Sequence, residues 1–591
     1  MSTSPIRIAN CSGFFGDRMD AAAAMVRGGP IDVLTGDYLA ELTMAILLRK
    51  RMKNPDEGYA QTFLQQMEGI LTECLAKGIK VVSNAGGLNP AGLARALEAL
   101  AQKLGVKPRI AWIDGDDLAP RLQALQAEGE GLFHMDRLTP LRDSGAMPMT
   151  ANAYLGCWGI KEALDRGADI VICPRVTDAS VVMGPAAWHH NWRRDDLDAL
   201  AGALAAGHVI ECGCQATGGN YSFFEEVPSF RNVGFPIAEI AADGSTVITK
   251  HANTGGMVTV GTVTAQILYE IGGVEYLNPD VTGHFDTIKL AQIGPDRVQM
   301  SGTKGSLPPS HHKVCINMMG GYQNLMQMSL CGPQVEKKAK ILVETLFESL
   351  GGKERFDEVH VQLIRNDKPD ARCNEEALAT LRIHVSSKDE TLVGRRFTAA
   401  MIELGLSNVP GLGAGGAPPR GASPRLVYWP ALVASKHIRE TVHMDGEQWD
   451  VQPASLVLAE QPALMKDLLP IELIEQEDMT EVELGRLFGA RSGDKGGNAN
   501  LGVWARHARS YGFLVQFLTI EKLKELLPDL GPFAVERAEF PNILAINFVI
   551  KGILGDGVAS SPRVDPQAKT LGEYLRTKVI AVPHSILEQP T

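Results

Sequence analysis

Short β-branched runs alternate with helical patterns through the first part of the chain, and each run ends in a polar turn that usually carries glycine. The runs lie at 6–9, 31–34, 79–82, 109–113 and 168–172. Between them, 59–76 and 90–104 repeat apolar residues at three- and four-residue spacing, the period of an amphipathic helix. Strands alternating with helices predict a parallel sheet with right-handed crossovers. Such sheets bind ligands outside the carboxyl ends of their strands. The polar turns fall there: Asn10-Cys11-Ser12-Gly13, Thr35-Gly36-Asp37, Ser83 to Gly87, Asp114-Gly115-Asp116 and Cys173-Pro174-Arg175.

The texture changes near His208. Segments 237–241, 246–250, 257–268, 298–301, 358–364 and 379–385 read as strands and 334–350 as a helix. They predict a second α/β region that either completes the first sheet or packs on it. Glycine and proline crowd 410–424, the composition of a long loop. An acidic stretch at 471–480 reads as a linker. Beyond it come strands at 480–484, 499–503, 534–540 and 545–550, a glycine-rich loop at 490–500, and helices at 520–527 and 567–578. The expected fold is α/β: a large N-terminal parallel-sheet region at 1–470, divisible into about 1–205 and 206–470, and a small C-terminal α+β domain at 481–591 of ferredoxin-like type.

A chain of 591 residues exceeds one compact core, which agrees with this division. The net charge of −12 argues against a nucleic-acid partner, which calls for a basic face. Nine scattered cysteines, an odd number, suit a reducing cytoplasm better than a disulfide framework. The first ten residues lack the layout of a signal peptide, and no apolar run approaches the roughly 20 residues that span a bilayer. The expected location is cytoplasmic, with no membrane partner.

Several motifs can carry chemistry. Asp37 and Glu41, four apart where a strand enters a helix, would share one helix face. Asp37 suits an N-cap, and Glu41 suits a base or a metal ligand. The turn of Asn84, Gly86 and Gly87 can cradle a carboxylate or phosphate, although it has neither dinucleotide nor Walker spacing. Arg175 and Asp178 make either an ion pair or a fork-shaped anchor for a substrate anion. The run Glu211-Cys212-Gly213-Cys214 to Asn220 lacks the cysteine spacing of structural zinc. His251, beside a glycine turn, suits an acid or base near neutral pH, though a lone histidine is more often hydrogen-bonded structure. Arg491, Asp494, Lys495 and Asn498 surround Gly496 and Gly497, a composition for holding an anion or for a domain interface.

Together, the runs NCSGFFGDR, LTGDYLAELTM, VSNAGGLNPAG, ICPRVTDAS, ECGCQATGGNY and HANTGGMV resemble the acyclic terpene utilisation family AtuA. The run ARSGDKGGNANLGVWAR resembles the small ferredoxin-fold domain that accompanies that family, fused or as a separate protein. The resemblance implies work in the breakdown of citronellol- and geraniol-type terpenoids, where acyl-CoA thioesters are carboxylated, hydrated and cleaved. It supplies no residue roles. The expectation is a lyase or hydratase acting on an acyl-CoA or hydroxy acid, with the acyl-CoA as substrate rather than cofactor. Glu41, Asp178 and His251 are the candidate acids and bases. Asn84, Gly86, Gly87, Arg175, Asn220, Arg491, Asp494, Lys495 and Asn498 are the candidate substrate contacts. A divalent metal, marked by no standard motif, would fall to Asp37, Glu41 and Asp178. The alternative is a non-catalytic acyl-CoA-binding or scaffold subunit of a degradative complex. A homo-oligomer is expected, as for many large enzymes.

Overall fold

All five runs form strands in the computed structural model, which describes residues 4–419, 421–451 and 478–587. They are β1 (Ile6–Asn10), β2 (Val33–Gly36), β3 (Lys80–Ser83), β4 (Ile110–Asp114) and, after β5 (Met147–Ala153), β6 (Ile170–Ile172). Parallel pairing places them in the order β1-β2-β3-β6-β4. Alternation of side chains then feeds two cores. Val33 and Val82 join helices α6 (Trp158–Asp165), α7 (Ser180–His190) and α8 (Leu197–Glu211) on one face. Leu34 and Val81 join α1 (Ala21–Gly28), α3 (Gln61–Lys77) and α4 (Pro90–Leu104) on the other. Helix α2 (Glu41–Lys53) follows β2, and α5 (Leu122–Ala127) follows β4.

The second region both completes this sheet and packs on it. Strands β7 (Pro236–Ile240) and β8 (Thr246–Lys250) extend it antiparallel beyond β1, and Thr441–Met444 pairs with β4 at the other side. The result is an eleven-stranded sheet, so strands from both sides of residue 205 share one layer. A second sheet is built on the 21-residue strand His311–Cys331, which pairs with β5, Leu378–Ser387 and Ser423–Ala434.

Helix α8 decides where the site forms. Its sequence is apolar nearly all round, and every residue from Ala199 to Glu211 is buried. The helix therefore carries its last residue, Glu211, into the interior.

Four expectations change. Segment 257–268 is not a strand: a reciprocal Thr259–Thr262 capping box starts helix α9 (Val260–Ile267), overriding the β-branched composition. The glycine-rich 490–500 segment is a hairpin rather than a loop, because strands Phe488–Lys495 and Asn498–Ala505 pair across a Gly496-Gly497 turn. Within 410–424 the strand Leu412–Ala414 pairs with the long strand, and Arg420 lies outside the described residues. The expected linker lies mostly outside the described residues, and its last two positions already belong to the strand Met479–Glu483.

The small domain is mixed α+β and ferredoxin-like, with a four-stranded antiparallel sheet. The helix expected at 567–578 spans only Leu571–Arg576, and a short helix, His584–Leu587, follows it. The domain docks through Asn500, which is fully buried. The Asn500 amide donates to the Leu268 carbonyl at 2.7 Å and accepts from the Glu270 N–H at 2.8 Å. Asn500→Leu would leave both backbone groups unpaired, at about 1–3 kcal/mol each. Calorimetry should then show an earlier transition. Among the described residues, no helix is long and apolar enough to cross a membrane.

Candidate active site

Three carboxylates meet where β2, β6 and α8 end: Asp37, Asp178 and Glu211, each with an oxygen within 4.8 Å of the others. Asp37 and Glu211 are buried and Asp178 is partly exposed. Asp37 does not cap α2, whose N-cap is Ala40. Instead its Oδ1 accepts from the Leu39 N–H at 3.0 Å and from Asn84 Nδ2 at 2.5 Å. Asn84 Oδ1 accepts from the Tyr38 N–H at 2.8 Å, so Asn84 fixes the orientation of Asp37. Arg175 leaves β6 and reaches Asp178 Oδ1 at 2.6 Å. Its guanidinium lies 4.2 Å over the Tyr154 ring, and its Nε has no hydrogen-bond partner.

Burial raises Asp37 and Glu211 well above the carboxylate range; Asp178 raises each further, while Arg175 opposes the shift. The C-terminus of α8 adds negative potential at Glu211. Glu211 Oε1 lies 3.4 Å from His208 Nδ1, and burial pushes that imidazole down to about 4. A neutral histidine therefore faces Glu211. Glu211 Oε2 is buried with no partner. One guanidinium cannot neutralise three adjacent carboxylates, which leaves room for protons or a divalent cation. An all-oxygen donor set suits Mg²⁺ or Mn²⁺.

Glu41 stands outside this trio. Its Oε1 accepts from the Tyr154 hydroxyl at 2.8 Å and pairs with Lys313 at 3.4 Å. Burial alone would raise it, but Lys313, Arg175 and the Tyr154 hydroxyl hold it at about 2. Such a carboxylate is a poor base at neutral pH, which corrects the role expected for it. It anchors Lys313 and Tyr154 instead.

The small domain supplies the opposite wall. Lys495 donates to the Glu270 carbonyl at 2.9 Å, and Lys569 donates to the Tyr269 hydroxyl at 2.6 Å. Arg491 lies 4.4 Å over the Tyr269 ring. Burial, then the charge of Glu270, pushes Asp494 up to about 8. Glu41, Asp178 and Lys313 keep 26–37% of their side chains accessible, so solvent and small molecules reach this edge of the carboxylate trio.

Five candidates are placed elsewhere. The Gly86 N–H donates to the Cys173 carbonyl and the Gly87 N–H to the Asn84 carbonyl, so this turn offers no free cradle. Gly86 is required by packing, since a Cβ there would lie 2.6 Å from the Cys173 oxygen. Exposed Asn220 donates to Gln215 Oε1 at 3.3 Å. His251 faces the Met25 carbonyl at 2.9 Å with its ring against Gly28 and Gly29, and none of the cleft's charges acts on it. Asn498 bonds to Asp136 Oδ1 and to the Gly552 N–H, a structural role at the interface. Sequence reasoning overlooked Glu211, Lys313, Tyr154 and Glu270. Only Glu211 had a readable signal: an ionisable residue ending an otherwise apolar helix.

A family model described as acyclic terpene utilisation family protein AtuA matches residues 6–444, and one for the AtuA ferredoxin-like domain matches 482–581. No curated protein matches the chain.

Proposed function

The chain belongs to the acyclic terpene utilisation AtuA family, and from that premise we propose that it is a catabolic lyase or hydratase acting on an acyl-CoA or hydroxy acid. Membership implies a part in acyclic terpene utilisation. The observation that supports the reaction class is the carboxylate trio with its unpartnered Glu211 oxygen, set at the strand ends beside Arg175. Hydration and lyase chemistry beside a carbonyl needs stabilisation of a developing oxyanion and a group that moves a proton. A divalent cation on Asp37, Asp178 and Glu211 would supply Lewis acidity there. Arg175, with its free Nε, holds an anionic group of the substrate. Asp494, pushed up to about 8 by burial, takes up and returns a proton, beside Glu270, which burial also raises.

The test is to incubate the full chain with acyl-CoA thioesters and free hydroxy acids of branched terpenoid skeleton, with Mn²⁺ or with a chelator, and follow substrate mass. Gain or loss of water, or cleavage, should occur only with the cation. Binding without any mass change would replace this reading with the non-catalytic subunit. Mn²⁺ titration should release protons, because the raised carboxyls of Asp37 and Glu211 must ionise to bind it. Affinity should therefore fall as pH falls, a slope calorimetry in two buffers can measure.

A further inference from the structure

We propose that the substrate enters the cleft with a free carboxylate, held between Lys313 of the large region and Lys495 of the C-terminal domain. The inference rests on reading the cleft as a substrate site, and it makes the small domain half of that site.

Lys495 sits at the tip of the 488–505 hairpin, and the tip is fixed. Gly496 has φ +65°, and a Cβ there would lie 2.9 Å from the Tyr428 ring. A Cβ on Gly497 would lie 2.4 Å from the Gly555 carbonyl. Close backbone packing thus delivers Lys495 to one place. Its ammonium donates to the Glu270 carbonyl, and Glu270 sits at φ +57°, a left-handed conformation that side-chain-bearing residues adopt rarely. Among the described residues Lys495 makes no ion pair.

Lys313 and the hairpin tip both lie against the Tyr428 ring. Burial first, then Lys313, lowers the Lys495 ammonium to about 8. Lys313 lies 4.8 Å from the Tyr154 ring centre and 5.9 Å from that of Tyr428. Lys313 already pairs with Glu41 at 3.4 Å, whereas exposed Lys495 makes only its bond to the Glu270 carbonyl, so an anion that reaches both supplies Lys495 with the counter-charge it lacks. The Tyr428 hydroxyl gives a second, independent sign: it is buried, has no hydrogen-bond partner and belongs to the ring beneath the hairpin tip. A phenol is a donor well suited to a carboxylate oxygen.

Charge selects the kind of anion. Glu41 and Glu270 both act on Lys495, and Asp494 lies next to it in the chain. These carboxyls oppose a second negative charge, so a singly charged carboxylate fits better than a dianionic phosphate. The free acid end of the substrate therefore lies under the hairpin, and any thioester lies away from it.

Calorimetry on the metal-free full chain tests this with three probes: β-hydroxybutyrate, its neutral methyl ester and inorganic phosphate. β-Hydroxybutyrate should bind, and the ester should not. Lys313→Met and Lys495→Met should each weaken β-hydroxybutyrate at least about tenfold, which is one decade in Kd. Tyr428→Phe, which removes only a hydroxyl, should weaken it severalfold with the fold intact. Failure of β-hydroxybutyrate to bind, or equal binding to all three variants, would overturn the proposal. Phosphate binding as tight as the acid would also overturn it, in favour of a phosphate-bearing ligand. Mn²⁺ affinity of the same variants, measured separately, reports on the carboxylate trio and shows whether that reading fails on its own.

Discussion

Replacing Glu211 by glutamine is expected to lower turnover on the order of a thousandfold while leaving the protein at least as stable as the parent. The substitution keeps shape and hydrogen-bonding capacity but removes one charge. Glu211 is buried at the C-terminal, negative end of α8, with Asp178 and Glu270 acting on it and only a neutral His208 at 3.4 Å. Its ionised form is therefore disfavoured in the fold, and an amide removes that penalty. Reaction chemistry asks for the opposite, since a carboxylate here completes the oxygen donor set with Asp37 and Asp178. Stability should hold or rise, Mn²⁺ affinity should drop, and product formation should fall with it. Full turnover in Glu211→Gln would remove the trio from the reaction. Loss of turnover with unchanged Mn²⁺ affinity would make Glu211 a proton carrier rather than a ligand.

The sequence exposed one half of this arrangement and hid the other, for a physical reason. Asp37, Asn84 and Arg175 follow parallel strands, and the alternation of runs and helices located those strand ends without any partner information. The contacts that complete the site are remote in sequence. Glu41 meets Lys313 across 272 positions, and Lys495 meets Glu270 across 225. No local period reports such pairings. Helix α9 misled because Val-Thr composition favours a strand, while its capping box is read from Thr259 and Thr262. The Gly86–Gly87 turn misled differently: its glycines permit close packing on the Cys173 carbonyl, and its amides are already engaged. Segment 490–500 reads as rich in ligand-type residues, but only the docked hairpin shows what each of them touches. Lys495 reaches the Glu270 carbonyl, whereas Asn498 turns to Asp136 and Gly552.

Arg175→Met should produce the largest change in stability. Its guanidinium is almost wholly buried, pairs with Asp178 at 2.6 Å, and is acted on by Glu41 and Asp37 as well. Removing one partner of a buried ion pair costs about 3–5 kcal/mol, because the remaining charges stay desolvated. The loss should depend on pH in a stated direction. Burial already raises the carboxyls of Asp37 and Glu211 above their unfolded values, and Arg175 is what opposes that rise. Without it, both rise further. An acid whose folded-state pKa is raised favours folding only in its protonated form, so the destabilisation is full above the folded-state values. It fades as pH falls through those values and is gone once both carboxyls are protonated in parent and variant alike. Mn²⁺ should restore more stability to Arg175→Met than to the parent, since the unopposed carboxylates attract a cation more strongly. Urea unfolding at stepped pH, with and without Mn²⁺, measures both effects. A loss that ignores pH and metal would instead assign Arg175 to packing of its stem and fork on the Tyr154 ring.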